Sequence, residues 1–320
     1  MTRNLHSYRH TFRTMGTSVE ILLVGRAGED HKSQSTFALA EALADDWERT
    51  FSRFRPESEL SRLNARTGRP VAVSERLFAA IEIALDANRQ THGIFDPTVL
   101  PALLALGYDR TFADLRDDGH RPDPLIAPGV AGIRADPTTR QVWLPPGTQL
   151  DLGGIVKGLY VDVLAGVGGW TGGAVSAGGD LRIWGISPAG SDWTIGVEDP
   201  EDPERDVALL HLNSGAVATS GTNRRNWQRG GLPIHHLIDP PTGLPARSGV
   251  RAVSVVSATG VQAEVAATAL AVGGPDASFD RSIFRQAVVI LDDGTQMTVP
   301  GSMEGRVNVE AHTLRAALAV

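Results

Sequence analysis

Residues 151–158, Asp-Leu-Gly-Gly-Ile-Val-Lys-Gly, combine a carboxylate, three glycines and one of only two lysines in the chain. Glycines at a strand-to-helix turn allow the backbone to approach a ligand closely, and the N-terminus of a helix attracts a phosphate. Lys157 lies in the predicted first helical turn, from which its ammonium group could reach that phosphate. A tight turn carrying an exposed lysine gives the same string. The segment matches neither the Walker A nor the Rossmann glycine pattern.

Glu264 and Thr268 are four residues apart in a predicted helix and therefore share one face. A carboxylate and a hydroxyl presented together suit a hard cation such as Mg²⁺, whose coordination is completed by water and ligand phosphate. A surface glutamate beside a core-facing threonine has the same spacing, so the pair alone leaves both interpretations open.

Two histidines, His235 and His236, precede a Pro/Gly turn, and a histidine can act as a general base near neutral pH. The string also fits a strand that ends in a turn. Gly-Gly-Asp at 178–180 and Thr-Ser-Gly at 219–221 are compatible with phosphate binding or with ordinary turns. Neither contains G-x-S-x-G, so a serine hydrolase is poorly supported.

The composition of the 320-residue chain excludes several classes of protein. The absence of cysteine excludes disulfides, a thiol nucleophile and iron–sulfur clusters. The net charge of −7, without a basic stripe, argues against nucleic-acid binding. No run approaches the roughly 18 apolar residues of a membrane span. The N-terminal segment is polar and lacks the apolar core of a secretory signal, so we expect a cytoplasmic protein.

The spacing of apolar residues predicts the elements that position these motifs. We expect helices over 33–51, 74–90 and 261–272, and a helix that opens within 151–158. Residues 111–149 are predicted to be irregular and to end in a strand at 141–144. Further strands are predicted at 18–24, 181–185, 193–197, 207–212, 216–218 and 250–257, and in a hairpin over 286–299.

Strands and helices alternate without a regular βαβ period, which favours an α+β fold with mixed, largely antiparallel sheets and packed helices. We expect an N-terminal tail over residues 1–14. A single domain, with room for two lobes, then covers residues 15–320.

The motifs occur in an order that resembles the ApbE family of FAD:protein FMN transferases. The matching segments span most of the chain, from residue 15 to about residue 273. They are residues 15–17, 51–64, 93–99, 151–158, 178–180, 218–221, 236–240 and 263–270.

The resemblance implies an α+β fold related to the T-fold and a site that binds FAD and a divalent metal. It implies metal ligation by the Gly154 carbonyl, Glu264 and Thr268. The implied FAD contacts are Met15, Phe54, Ile94, Phe95, Asp96, Asp151, Lys157, Thr219, Ser220 and Ile238.

The sequence departs from the family pattern at three places. The family usually has aspartate at the position of Glu264, whose extra methylene moves the carboxylate outward. It often has tyrosine at the position of Phe54, which keeps stacking but loses a phenol hydrogen bond. Residues 222–225 read Thr-Asn-Arg-Arg where the family commonly has an acidic residue and an aromatic. We therefore expect differences in metal coordination and target recognition.

The implied reaction is attack by a Thr or Ser hydroxyl of an acceptor protein on the FMN-side phosphorus of FAD, with departure of AMP. Such a transfer requires charge neutralisation and alignment, for which Mg²⁺ and Lys157 are the candidates, with His236 as the base. Water in place of the acceptor would make the same site a Mg²⁺-dependent FAD pyrophosphatase that yields AMP and FMN. A non-catalytic FAD-binding protein is the remaining alternative.

Overall fold

The computed structural model describes residues 5–117, 119–305, 307–311 and 315–316. The helices are α1 (Asp30–Phe51), α2 (Glu59–Asn64), α3 (Glu75–Gln90), α4 (Leu100–Ala105), α5 (Val156–Ala165) and α6 (Gly260–Gly273). Short 3-10 turns lie at Phe112–Asp114 and Arg281–Ile283. The strands are β1 (Leu5–Thr14), β2 (Thr17–Arg26), β3 (Pro70–Ala72), β4 (Arg134–Asp136), β5 (Gln141–Trp143), β6 (Gly172–Ala177), β7 (Asp180–Gly185), β8 (Trp193–Glu198), β9 (Asp206–Leu212), β10 (Gly215–Gly221), β11 (Asn226–Arg229), β12 (Leu232–His235), β13 (Ile238–Asp239), β14 (Leu244–Pro245), β15 (Val250–Ser257), β16 (Gln286–Leu291), β17 (Gln296–Pro300), β18 (Asn308–Ala311) and β19 (Arg315–Ala316).

One large sheet organises the described part of the chain, with the strand order β1-β2-β6-β7-β10-β15-β16-β17-β19. Neighbouring strands in it are antiparallel, except for the parallel pair β17 and β19. Smaller sheets have the orders β18-β9-β8 and β3-β5-β4, and β11-β12 and β13-β14 are hairpin pairs. The α+β prediction with largely antiparallel sheets is confirmed.

The strand β15 is covered on both faces, and this explains its nearly continuous apolar sequence. Val253 and Val255 belong to the core that the large sheet shares with the helices, and Ala252 and Val256 belong to a second core shared with β8 and β9. Successive side chains of a strand point to opposite faces, so from Ala252 onward the even-numbered residues of β15 face the smaller sheet and the odd-numbered residues face the helices. The register shifts between Val250 and Ala252, and Val250 therefore belongs to the helix-side core.

The helices α5 and α6 cross in close contact on the helix-covered face of the sheet. A Cβ atom built on Gly158 would lie 2.6 Å from the backbone of Gly260, and one built on Gly260 would lie 2.7 Å from the carbonyl oxygen of Gly158. The Asp162 carboxylate accepts hydrogen bonds from the first amides of α6, at 2.7 Å from Gly260 N and 3.1 Å from Val261 N. Backbone contact and this capping carboxylate fix the two helices relative to each other.

The predicted N-terminal tail over residues 1–14 is wrong from residue 5 onward, because Leu5–Thr14 form β1 and pair with β2 along their whole length, while residues 1–4 lie outside the described residues. The turn between them contains Met15 and Gly16, both with positive φ (50° and 68°), as in a two-residue hairpin turn. The strand lies at the edge of the sheet and buries only Tyr8, so its sequence lacks the apolar alternation that marks a core strand.

The remaining predicted elements are confirmed with small changes of boundary. Residues 111–149 contain β4 as well as the predicted β5, and the predicted strand at 216–218 extends to Gly221. The hairpin over 286–299 is β16 and β17. No helix in the described ranges is long and apolar enough to cross a membrane.

Candidate active site

Three charged side chains meet where α5, α6 and β7 come together. Lys157 donates a hydrogen bond to Asp180 and another to Glu264, with Nζ 2.5 Å from Glu264 Oε1. Both carboxylates are buried, with exposed fractions of 3% for Asp180 and 4% for Glu264. The second oxygen of Glu264 accepts a hydrogen bond from Gly158 N at 2.9 Å. We call Lys157, Asp180 and Glu264 the charged triad.

Burial and the attraction between opposite charges have opposing effects on the pKa values of Lys157 and Glu264. Burial lowers the pKa of Lys157, but the attraction of Asp180 and Glu264 outweighs it and holds the pKa above its usual value. Burial and the neighbouring Asp180 charge raise the pKa of Glu264 to about 7, against the opposing effects of Lys157 and the Gly158 amide. Two buried carboxylates thus share one ammonium group, and the cluster attracts further positive charge.

The proposed metal ligands fit a hard cation by chemistry. Glu264 and Thr268 lie on one face of α6, and the Thr268 hydroxyl has no hydrogen-bond partner among the described residues, unlike Thr36 and Thr50, which donate to their own helix backbone. With the Gly154 carbonyl, the donor set is all oxygen, which suits Mg²⁺ with water or ligand phosphate as further ligands. Within the described ranges, no three His, Cys, Asp or Glu side chains lie close enough together to hold a metal by themselves.

The turn that leads into α5 is built by Asp151. Its Oδ1 accepts a hydrogen bond from Gly153 N at 2.6 Å, and its Oδ2 lies 3.0 Å from Nε of Arg53. Gly154 packs against the ring of Phe95, since a Cβ on Gly154 would lie 2.9 Å from Cε2 of that ring. The glycine therefore lets the turn close over the aromatic ring.

Phe95, a predicted FAD contact, is a buried core residue whose ring supports Gly154; its exposed fraction is 4%. Asp96 accepts two hydrogen bonds from Thr98, each at 2.7 Å, which makes it the first residue of a local turn. Ile94 is half-buried and lies near Gly273. Contact of these three residues with FAD remains a prediction.

The Met15 turn is held to α1 by Glu48. Oε1 of Glu48 accepts hydrogen bonds from Met15 N at 2.7 Å and from the Thr14 hydroxyl at 3.2 Å, and its other oxygen accepts from Arg55. A cleft of about 440 Å³ opens beside this turn. It does not reach the charged triad, and its walls are Phe12, Arg13, Thr14, Glu41, Ala44, Asp45, Glu48 and Arg55.

Phe54 is 36% exposed and is therefore available for stacking with a ligand. Its ring lies 5.6 Å from the ring of Tyr108, which in turn lies 5.2 Å from that of Trp227, measured between centroids. The indole N–H of Trp227 donates to the Leu106 carbonyl at 2.9 Å. The three rings therefore pack in a row, in which Phe54 is at the exposed end.

Thr219 and Ser220 are not at a strand end, because both lie within β10. The Thr219 hydroxyl is 2.7 Å from that of Ser254, whose even number in β15 places it on the face of the smaller sheet. Thr219 is therefore on the opposite face of the large sheet from the charged triad. Ser220, the next residue, faces the helix side by alternation.

His236 is half-buried, and its Nδ1 lies 3.4 Å from the Arg225 carbonyl. Burial, reinforced by the positive charges of Arg225 and Lys157, lowers the pKa of His236 to about 3. The imidazole is therefore neutral at physiological pH. If Nδ1 donates to the carbonyl, Nε2 is the free acceptor.

Ile238, a predicted FAD contact, has an exposed fraction of 4% and lies in the core around α4 and Trp227.

Two participants in this region were not predicted from the sequence, Asp180 as the second partner of Lys157 and Arg53 as the partner of Asp151. Asp180 directly follows the glycine pair at 178–179. The sequence indicated a motif at this place but not the ion pair between Asp180 and Lys157. Arg53 precedes the predicted ligand residue Phe54, and a cation in that motif was the available signal.

A sequence profile of the ApbE family matches residues 15–283. The chain belongs to the ApbE family. It is 30% identical over 299 residues to an FAD:protein FMN transferase of Vibrio cholerae, covering 88% of this chain and 87% of that protein.

Solved structures of the ApbE family share the fold of this chain. The ApbE protein of Thermotoga maritima has a TM-score of 0.80 and 28% identity, covering 91% of this chain and 96% of the other. The flavin transferase ApbE of Vibrio cholerae has a TM-score of 0.75 and 27% identity, covering 93% and 98%. The eight motifs thus identify the family correctly.

Proposed function

We propose that this protein transfers the FMN part of FAD to a Thr or Ser hydroxyl of an acceptor protein and releases AMP. The name of the Vibrio cholerae relative, FAD:protein FMN transferase, supports this reaction. The structural observation that carries the proposal is the charged triad at the start of α5, where the backbone and the charges can meet a pyrophosphate.

The proposed reaction exchanges one phosphorus–oxygen bond for another. The acceptor oxygen attacks the phosphorus on the FMN side of the FAD pyrophosphate, and the bond from that phosphorus to the bridging oxygen breaks. AMP leaves with the bridging oxygen, while the proton of the acceptor hydroxyl passes to a base. The product is a phosphoester between FMN and the acceptor side chain.

Lys157 remains protonated, and therefore positively charged, throughout the physiological pH range because its pKa is raised. We infer that, when FAD binds, the Lys157 ammonium group gives up one of its hydrogen bonds to Asp180 and Glu264 and donates to a pyrophosphate oxygen instead. Gly154, Glu264 and Thr268 would hold Mg²⁺. The ion would add positive charge beside the pyrophosphate.

His236 is the proposed base for the acceptor hydroxyl. Its lowered pKa keeps the imidazole neutral and able to accept a proton, although it also makes the imidazole a weaker base than an exposed histidine. Lys157 contributes to that lowering, so the two side chains are near enough to interact. This supports a role for His236 at the same site. A cytoplasmic location for the protein and its acceptor also stays a prediction.

The test is chromatography of the purified protein after incubation with FAD and a pool of synthetic peptides, each with one Thr or Ser. The reactions contain either Mg²⁺ or a chelator. Release of AMP that requires Mg²⁺, with flavin fluorescence on a peptide, is the expected result. AMP with free FMN and no labelled peptide would favour the FAD pyrophosphatase, and bound but intact FAD would indicate a non-catalytic flavin-binding protein.

A further inference from the structure

Arg53 is a buried cation whose guanidinium group is positioned from two directions. Its Nε lies 3.0 Å from Oδ2 of Asp151, and its Nη1 donates to the carbonyl oxygen of Tyr108 at 2.6 Å. The side chain has an exposed fraction of 9%. Its Cζ lies 4.2 Å from the ring centroids of both Phe54 and Tyr108. The guanidinium is therefore fixed by an ion pair, a hydrogen bond and two aromatic contacts.

The third nitrogen of this guanidinium, Nη2, is buried and has no hydrogen-bond partner among the described residues. A buried donor without a partner destabilises the folded state, so folded proteins rarely retain one without a reason. The neighbouring Phe54 is partly exposed and its ring centroid lies 4.2 Å from the guanidinium carbon, so a planar ligand that contacts this ring comes close to the guanidinium group. A stacking ring next to a fixed donor is a usual arrangement for recognising an aromatic ligand that carries acceptor atoms.

Asp151, by contrast, has no carboxylate oxygen left unpaired. Oδ1 accepts from Gly153 N at 2.6 Å, and Oδ2 pairs with Arg53. A carboxylate would also repel a phosphate, whereas a guanidinium would attract it. Asp151 therefore holds Arg53 and the turn in place, whereas Arg53 has the donor nitrogen, Nη2, that is available to a ligand.

We propose that Arg53 is a ligand-binding residue, whose Nη2 donates a hydrogen bond to an acceptor oxygen of the bound FAD, and that Asp151 is its positioning residue. This inference rests on the proposed function, because it takes FAD as the ligand. The acceptor oxygen belongs either to a flavin ring carbonyl stacked on Phe54 or to a phosphate. Both present the same hydrogen-bond chemistry to the guanidinium.

The test compares the affinities of FAD, riboflavin and AMP for the wild type, Arg53→Lys and Arg53→Gln. Arg62→Gln, an exposed arginine on α2, is the matched control. Both Arg53 variants should weaken FAD binding at least about tenfold, the cost of one lost hydrogen bond to a buried donor. A parallel loss for riboflavin would assign the contact to the flavin ring, a parallel loss for AMP alone would assign it to the phosphate on the adenosine side, and a loss for FAD alone would assign it to the phosphate on the FMN side.

Asp151→Asn separates positioning from direct contact. Its loss of FAD affinity should disappear when it is combined with Arg53→Gln, because both changes remove the same interaction. Thermal melting identifies variants that fail to fold, and Arg53→Lys keeps a cation beside Asp151 if Arg53→Gln fails. A purely structural role would lower the melting temperature and weaken riboflavin and AMP alike.

FAD affinities of both Arg53 variants within twofold of the Arg62→Gln control would overturn the inference. This failure is distinct from failure of the proposed function. A wild type that binds FAD but transfers no FMN would contradict the transferase activity and leave the role of Arg53 standing. A wild type without FAD affinity would overturn both.

Discussion

The ammonium nitrogen of Lys157 lies 2.5 Å from Oε1 of Glu264, so the candidate pyrophosphate ligand and a candidate metal ligand are bound to each other in this structure. Asp180 pairs with the same ammonium group. The two carboxylates therefore compete for one cation. We expect FAD and Mg²⁺ to rearrange this cluster together. Binding of Lys157 to the pyrophosphate would free Glu264 for the metal, and binding of the metal to Glu264 would free Lys157 for the pyrophosphate.

Lys157→Met leaves Asp180 and Glu264 buried without their shared cation. Breaking a buried ion pair from one side costs about 3–5 kcal/mol, so we expect a loss of that order in the free energy of unfolding, measured by urea denaturation. Lys32→Met, at the other lysine, changes a partly exposed pair and should cost less than about 1 kcal/mol. Equal effects of the two changes would contradict the structural role of the charged triad.

Asp180→Asn should restore part of the stability of Lys157→Met, because it removes one of the two carboxylates left unpaired. The double variant then unfolds at a higher urea concentration than Lys157→Met alone. Additive losses in the double variant would show that the two residues do not interact.

Gly158→Ala places a methyl group 2.6 Å from the backbone of Gly260. Backbone atoms cannot yield as a flexible side chain does, so α5 and α6 must separate, and we expect a loss of about 1–3 kcal/mol in stability. The Gly158 amide also donates to Glu264, so the separation should reduce transfer activity.

Gly166→Ala, at the other end of α5, is the matched control for this change. Its φ is −82°, and the nearest atom to a new Cβ is the Val163 carbonyl oxygen at 3.4 Å. Thermal melting of both variants is the measurement. A Gly158→Ala protein as stable as Gly166→Ala would refute the tight crossing of the helices.

Glu264→Gln keeps the size of the side chain and removes its charge. We expect transfer to fall at least on the order of 100-fold, because even residues outside a metal's ligand set typically change metal affinity or activity 10- to 100-fold. Glu264→Asp retains a carboxylate and should keep measurable transfer at high Mg²⁺ concentration. Rates are measured as AMP release against Mg²⁺ concentration. A Glu264→Gln rate equal to that of the wild type would remove Glu264 from the metal site.

His236 should remain neutral where an exposed histidine titrates. The usual histidine pKa is about 6.5, and that of His236 is lowered to about 3, so its ring resonances should not shift between pH 8 and pH 5. Below pH 6.5 the unfolded chain binds a proton at this residue that the folded protein does not, so lowering the pH should reduce the stability of the wild type relative to His236→Gln. A titration midpoint near 6.5 in the NMR spectrum would contradict this environment.

The strongly periodic elements could be predicted from the sequence. The helix expected over 261–272 is α6, and the helix expected over 74–90 is α3, whose N-cap Ser74 accepts a hydrogen bond from Leu77 N. The shared face of Glu264 and Thr268 followed directly from that helix. These features depend on local spacing and local hydrogen bonds, which the sequence contains.

The features that the sequence did not predict depend on contacts between distant segments. β1 is an edge strand with a polar sequence, and only its pairing with β2 defines it. Lys157 and Glu264 are 107 residues apart along the chain, and only the crossing of α5 and α6 brings them together. Phe95 and Gly154 are likewise distant along the chain, and only the folded turn brings the ring against the glycine.

The most direct test of the proposed FMN transfer is the intact mass of the synthetic peptides after incubation with the wild-type protein, FAD and Mg²⁺. We predict that one or more peptides gain the mass of FMN less one water, in amounts equal to the AMP released, and that Glu264→Gln reduces this gain. AMP release with unmodified peptides and free FMN in equal amounts would contradict transfer to a protein hydroxyl.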